Sequence, residues 1–301
     1  MNDRSFAVVL LFSDESLHKD IAVNLGEEPA LRIVIIKKRT LLIAAAILAV
    51  LIAAVVLFFC LKDASSVATV AQAGVAEYEL NVLPGKSREL PVYYVERADH
   101  KIALTIDAAW ESDKTEFILK TLKKYDAKAT FFLCGVWVEA YPEFVKEIAQ
   151  AGHEIGNHSL THPHMNKLDA TQVQMEISKL DDEIEALTGK RCTLFRAPFG
   201  EYNDTVIKAV REIGYEPVQW NLDTIDWKES RSAQTILDSV LPKLTDGSII
   251  LCHNNGYKIE TYLPTLLETA LADGYTFVTV SELLLDGETV IDNNGMQKPA
   301  A

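Results

Sequence analysis

The sequence predicts an α/β domain built as a (β/α) barrel. After residue 93, seven short apolar runs alternate with amphipathic segments of helical period. That alternation implies βα units and a parallel sheet. Polar residues collect at the C-terminal ends of five of the runs, which is where parallel β/α folds assemble their sites. A doubly wound open sheet is the alternative reading of the same pattern.

The strand-like runs lie at 102–106, 129–133, 153–156, 193–196, 216–221, 248–252 and 276–280. The helices between them carry their own punctuation. Pro142 opens one that ends before Gly152. Asp169 or Thr171 caps another, whose apolar positions Val173, Ile177, Leu180, Ile184 and Leu187 step by four and three. Asn203 opens a third, stopped by Gly214. Ile236, Leu237, Val240, Leu241 and Leu244 form a fourth stripe, and Leu263, Leu266, Leu267, Ala270 and Leu271 a fifth. No G-x-G-x-x-G or P-loop occurs, so a nucleotide site has no support.

The chain has 301 residues, half of them hydrophobic, which is enough for one large domain plus appendages. Its formal charge of −14 argues against nucleic acid, since phosphate neutralisation needs basic patches. The four cysteines are scattered, with no C-x-x-C pair, so neither a zinc knuckle nor a redox motif is indicated.

Residues 40–61 carry no charge, and about 20 apolar residues suffice to cross a bilayer as a helix. Lys37, Lys38 and Arg39 precede this run directly, which places the N-terminus in the cytoplasm and the rest outside. The alternative is a cleaved signal peptide, although 39 residues are many for its n-region. The expected order is a cytoplasmic tail at 1–39, a transmembrane helix at 40–62, an Ala/Ser/Val-rich stalk at 63–92, the domain at 93–285 and a C-terminal tail at 286–301. The tail before the anchor holds six acidic and six basic residues, and its apolar runs at 6–12 and 31–36 read as short strands or membrane-surface contacts.

The candidate site begins with the stretch 157–164, which holds three of the chain's seven histidines. His158 and His162 are four apart, a spacing that offers two imidazoles to one metal ion. The bland reading is a polar loop. Asp107 ends the first run, Arg196 the fourth, Asp226-Trp227 follow the fifth, and His253 ends the sixth. Singly these are a turn cap, an ion-pair residue, a turn acid beside an aromatic, and a core histidine. Together, on successive strand ends, they point to a site.

These residues carry a resemblance. Asp107, His158-Ser159-Leu160-Thr161-His162-Pro163, Arg196-Ala197-Pro198-Phe199-Gly200, Asp223-Thr224-Ile225-Asp226-Trp227 and Leu251-Cys252-His253 stand in an order similar to the five motifs of the polysaccharide deacetylases. This is the NodB-homology domain of carbohydrate esterase family 4, and the resemblance covers residues 93–285. It implies a distorted (β/α)7, TIM-like barrel and removal of acetyl groups from chitin, peptidoglycan or xylan, generally with a divalent metal, often zinc. Residue by residue, it implies His158 and His162 as metal ligands, Asp107 as general base and His253 as general acid. Arg196 would hold Asp107 ionised and Asp226 would orient His253. The Phe199 N–H would bind the oxyanion, Trp227 and Leu251 would form the acetyl slot, and Trp137 and Tyr202 would stack on sugar rings.

The first motif departs from the family's usual Thr-Phe-Asp-Asp-Gly, reading Thr105-Ile106-Asp107-Ala108-Ala109-Trp110. Ala108 stands where the family has its third metal ligand. His164 is a candidate substitute, as is a water or Asp107 itself. This variant resembles that of membrane-anchored or sporulation-associated deacetylase-like proteins of Gram-positive bacteria. The sequence therefore leads to a membrane-anchored N-deacetylase of cell-wall or spore-cortex peptidoglycan. The alternatives are a glycan-binding domain that has lost turnover, and an acyl-amide hydrolase without a tightly bound metal.

Overall fold

The computed structural model describes residues 8–13, 32–37, 88–112 and 114–300. The expected transmembrane helix at 40–62 and most of the stalk lie outside the described residues. Among the described residues no helix is long and apolar enough to cross a membrane. The chain divides into two compact units, Met1–Gly85 and Lys86–Ala301. In the first, β1 (Val8–Ser13) and β2 (Arg32–Lys37) pair in parallel, with Val8 opposite Arg32.

The second unit runs β3 (Tyr94–Val95), β4 (Lys101–Ala108), α1 (Thr115–Lys124), β5 (Ala129–Leu133), α2 (Gly135–Ala140), α3 (Pro142–Gln150), β6 (Glu154–Asn157) and α4 (Ala170–Thr188). It continues with β7 (Leu194–Phe195), α5 (Asp204–Glu212), β8 (Glu216–Pro217), β9 (Leu222–Asp223), α6 (Ala233–Val240), β10 (Ile249–His253), α7 (Ile259–Ala272), β11 (Thr276–Val278), α8 (Val280–Leu283), β12 (Thr289–Ile291) and β13 (Met296–Pro299). The main sheet has the order β8-β7-β6-β5-β4-β10-β9, with β11 paired to the start of β4. Every pairing in it is parallel.

The sheet is curled because the chain passes directly from β8 at one edge to β9 at the other. An extended residue spans at most about 3.6 Å, so the short link from Pro217 to Leu222 keeps the two edges close. Val92 bridges Val218, and Tyr94 bridges Ser248, across the remaining gap. The fold is thus a (β/α) half-barrel with a curled parallel sheet. The single strand expected at 216–221 is corrected: β8 covers only its first two residues, and β9 begins just beyond it at Leu222. Val218 donates its N–H to Phe195, Gln219 to Val92 and Asn221 to Ile249, so the segment crosses between three neighbours instead of following one ladder.

β4 is buried on both faces, as a central parallel strand must be. Ile102, Leu104, Ile106 and Ala108 join the core beneath α1 and α7, with Ile118, Leu122, Leu263 and Leu266. Ala103 faces a second cluster with Val92, Phe132, Val218 and Ile249. The alternation therefore sends Thr105 and Asp107 inward.

The helix signals hold at their starts. Asp169, not Thr171, caps α4, in a reciprocal capping box with Gln172, and Gly189 ends the helix in the left-handed region at φ 73°. The Asn203 side chain accepts from the Val206 N–H at the start of α5. The expected tail at 286–301 carries β12 and β13, and β13 pairs with β3.

Candidate active site

The parallel register assembles the centre of the site. His253, the last residue of β10, is the Cα partner of Asp107 on β4. His158 follows β6, Arg196 follows β7 and Asp226 follows β9. The loops that carry these groups are locally strained. Among the described residues, five of the seven non-glycine residues with positive φ lie just beyond strand ends: Glu111, Ser159, His162, Phe199 and Ile225. Left-handed backbone at such residues costs about 1–3 kcal/mol each and persists where the surroundings enforce it.

Arg196 is fully buried, and its guanidinium is spent on the site. It donates to Asp107 Oδ1 at 2.7 Å, to Thr105 Oγ1 at 2.7 Å and to the Gln219 carbonyl at 3.0 Å. Phe132 and Trp220 cover it, with its central carbon 4.1 and 5.3 Å from their ring centres. Gly156 makes room for that wall, because a Cβ there would lie 2.6 Å from the Phe132 ring. Thr105 and Phe132 escaped the sequence reading. The signal for Thr105 was its position two residues before Asp107 on one strand, which puts both side chains on one face.

A second pair, with Asp226 buried and His253 partly exposed, stands beside the first. Asp226 Oδ1 lies 2.7 Å from His253 Nδ1, and Asp226 Oδ2 accepts from the His253 backbone N–H at 3.1 Å and from the Tyr262 hydroxyl at 2.6 Å. Asn254 ties the two halves together. Its N–H donates to the Asp107 carbonyl, and its amide donates to the Glu111 carbonyl at 2.6 Å.

The two pairs push their titrations apart. Burial disfavours the Asp107 carboxylate, but Arg196, His158 and His253 outweigh it and hold its pKa below the ordinary carboxyl value. Burial likewise disfavours charge on His253, but the hydrogen bond and charge of Asp226, with Asp107 and Asp223, raise its pKa above that of an ordinary imidazole. At neutral pH this leaves an ionised carboxylate beside an imidazole biased toward protonation, the protonation states that suit a base and an acid.

The histidine pair is also brought to the centre. The His158 and His162 rings are 5.0 Å apart, and His158 Nε2 is 3.7 Å from Asp107 Oδ2. His158 Nδ1 lies 2.9 Å from the Arg196 carbonyl. It can only donate there, which leaves the Nε2 lone pair facing the site. Burial is the largest cause lowering both pKa values, that of His162 to about 4, so both rings favour the neutral form. Buried His162 Nδ1 has no hydrogen-bond partner among the described residues.

These imidazoles offer two metal ligands and no more. Ala108, at the end of β4, packs its methyl among the helix-facing core residues. His164 is corrected as a substitute. Its Nδ1 lies 2.8 Å from Glu201, and its ring stacks on Phe199, 4.7 Å away. Among the described residues no group of three or more His, Cys, Asp or Glu side chains is arranged to hold a metal ion. Hydrolytic zinc sites use three protein ligands plus water. The donor set does not fit such a site.

The remaining expected residues divide. Leu251 is buried two residues before His253, on the same face of β10. Phe199 and Trp227 are exposed at the rim, at 58% and 52%. Trp137 is corrected as a sugar-stacking residue, because it is 1% exposed and donates its indole N–H to the Glu111 carbonyl at 2.6 Å. Tyr202 is half-buried, its hydroxyl 2.9 Å from that of Tyr93 and its ring covered by Arg88 at 5.3 Å. Trp110, 55% exposed, sets its ring edge against His162, 5.6 Å between centroids.

Comparison with known proteins places this geometry. The polysaccharide deacetylase family profile matches residues 95–218. The peptidoglycan-N-acetylmuramic acid deacetylase PdaA of Bacillus subtilis is 31% identical over 190 residues, which cover 62% of this chain and 72% of that protein. The chain belongs to the polysaccharide deacetylases of carbohydrate esterase family 4. Within that family, the peptidoglycan-N-acetylglucosamine deacetylase PgdA of Listeria monocytogenes is 37% identical over 187 residues, 62% of this chain but only 39% of the longer listerial protein. Among solved structures, wild-type BA3943 from Bacillus anthracis is described as a pseudoenzyme of the same family. It is 35% identical, with a TM-score of 0.61 over 64% of this chain and 68% of that one. A mutant of BA3943 with restored enzymatic activity matches at 36% identity and the same TM-score. The family thus includes both active deacetylases and at least one inactive relative of this fold.

Proposed function

We propose that this member of the deacetylase family hydrolyses the acetamide of N-acetylated amino sugars in peptidoglycan or a chitin-like glycan. The observation that carries the reading is the retained acid–base set, Asp107 with Arg196 beside His253 with Asp226. A glycan-binding domain needs no such opposed pair. The peptidoglycan activities named for PgdA and PdaA support the substrate class.

In this reading Asp107 takes the proton of the attacking water as its oxygen bonds to the acetyl carbon. The Phe199 N–H stabilises the oxyanion that forms. His253 protonates the sugar nitrogen as the C–N bond breaks, since an amide anion is a very poor leaving group. Acetate and the free amine result. Arg196 keeps Asp107 ionised at the cost of some basicity, and Asp226 orients His253 and favours its charge. Leu251 and Trp227 border the acetyl methyl. No step is assigned to a metal, because the ligand set stops at His158 and His162. Residues 40–62 would anchor the protein in the plasma membrane with its catalytic unit outside, as expected of a Gram-positive cell-wall enzyme.

The second reading is a glycan-binding domain with weak or no turnover, and Ala108 is the observation that favours it. Incubating the full chain with peptidoglycan and with chitin oligomers, with and without added divalent ions, separates the two. New free amines on the glycan support hydrolysis. Glycan retention with no new amines under any condition supports the binding domain.

A further inference from the structure

We propose that Tyr262 is a positioning residue for the His253–Asp226 pair, acting with Gly256 to hold the Asp226 carboxylate in one orientation. The proposal rests on the reading of His253 as general acid and deepens it. Tyr262 lies on α7, fully buried within the helix-facing core, where a phenol hydroxyl needs a partner. It has one in Asp226 Oδ2, at 2.6 Å. The same oxygen accepts from the His253 backbone N–H at 3.1 Å, which leaves Oδ1 for the imidazole at 2.7 Å.

Gly256 closes the other side. A Cβ at Gly256 would lie 2.1 Å from Asp226 Oδ2 and 2.6 Å from its carboxyl carbon. The carboxylate therefore sits directly on the glycine backbone, and Gly256 donates its own N–H to the His253 carbonyl. Two hydrogen bonds and one close approach thus allow a single carboxylate plane. Only that plane aims Oδ1 at Nδ1 and leaves Nε2 for substrate.

The charged surroundings are few. Asp107 from β4, Asp223 from β9 and Asp226 act on His253, and His158 and His162 face it from the loop after β6. Cys252 from β10 and Tyr262 from α7 act on Asp226's neighbourhood, and burial keeps both protonated. Facing a carboxylate oxygen, the Tyr262 hydroxyl is the donor of the bond between them.

Ring-15N histidine NMR of the full chain tests this. Tyr262→Phe should lower the His253 midpoint by about half a pH unit or more, because the Asp226 carboxylate is then free to turn Oδ1 away from Nδ1. Gly256→Ala should displace the carboxylate and lower the midpoint toward that of an ordinary imidazole. Leu263→Ala truncates the next buried residue of α7 without touching Asp226 and should leave the midpoint in place. An unmoved midpoint in Tyr262→Phe or in Gly256→Ala overturns the proposal, as does an equal shift in Leu263→Ala. The titration needs no turnover, so its result stands apart from whether acetate is released.

Discussion

Asp107 and His253 stand side by side on one rung of the sheet, as register partners on β4 and β10. Each is biased by a different buried neighbour, Asp107 by Arg196 at 2.7 Å and His253 by Asp226 at 2.7 Å. The site is two ion pairs held a strand spacing apart, about 4.8 Å between backbones.

Arg196 should be worth more to stability than an ordinary surface arginine. Arg196→Leu leaves the Asp107 carboxylate buried without its counter-charge, and losing one partner of a buried pair costs about 3–5 kcal/mol. Urea denaturation at neutral pH should show that loss. A change under about 1 kcal/mol would mean that Asp107 re-pairs or takes up a proton.

The pairs also set the pH dependence of stability. Asp107 has a lowered folded pKa, so its contribution is present above the ordinary carboxyl value of about 3.9 and fades as pH falls through the folded one. His253 has a raised folded pKa, so its contribution is full below about 6.5 and is lost as pH rises through the folded value. The Tm difference between wild type and His253→Gln should therefore shrink as pH rises above that point. A difference that stays flat across the neutral and alkaline range would count against a raised His253.

Gly156→Ala tests the wall behind Arg196. Its Cβ would press on Phe132 from 2.6 Å and push that ring against the guanidinium. Overpacking of this kind costs about 1–3 kcal/mol. Thermal unfolding should report it, and a neutral result would mean the Phe132 ring has room to yield.

Ala108→Asp tests whether His158 and His162 are two parts of a metal site. If they are, the added carboxylate should tighten zinc binding by calorimetry, by about tenfold or more. Unchanged affinity would mean that a side chain at 108 stays with the helix-facing core, where Ala108 now packs.

Much of this was legible in the sequence because strand ends concentrate polar residues. Asp107, His158, Arg196, Asp226 and His253 each ended or followed an apolar run, and the parallel register brought them together. Period-based reading failed where the backbone serves several neighbours, so 216–221 read as one strand although Pro217 and Leu222 lie on opposite edges of the sheet. The resemblance misled for Trp137, since a motif-based carry-over cannot tell a rim aromatic from one buried to hold the Glu111 loop. Tyr262 sat in the helical stripe of α7 as an unremarked aromatic. Its partner, 36 residues earlier in the chain, is visible only in the folded protein.

The central claim is that the opposed pair of Asp107 and His253 performs acetamide hydrolysis. The direct measurement is acetate released from N-acetylglucosamine oligomers and peptidoglycan by the full chain, by Asp107→Asn and by His253→Ala. Wild type should release acetate, and each variant should fall by about a hundredfold or more while keeping its fold. Near-full activity in either variant, or no release from the wild type with any added divalent ion, would contradict it.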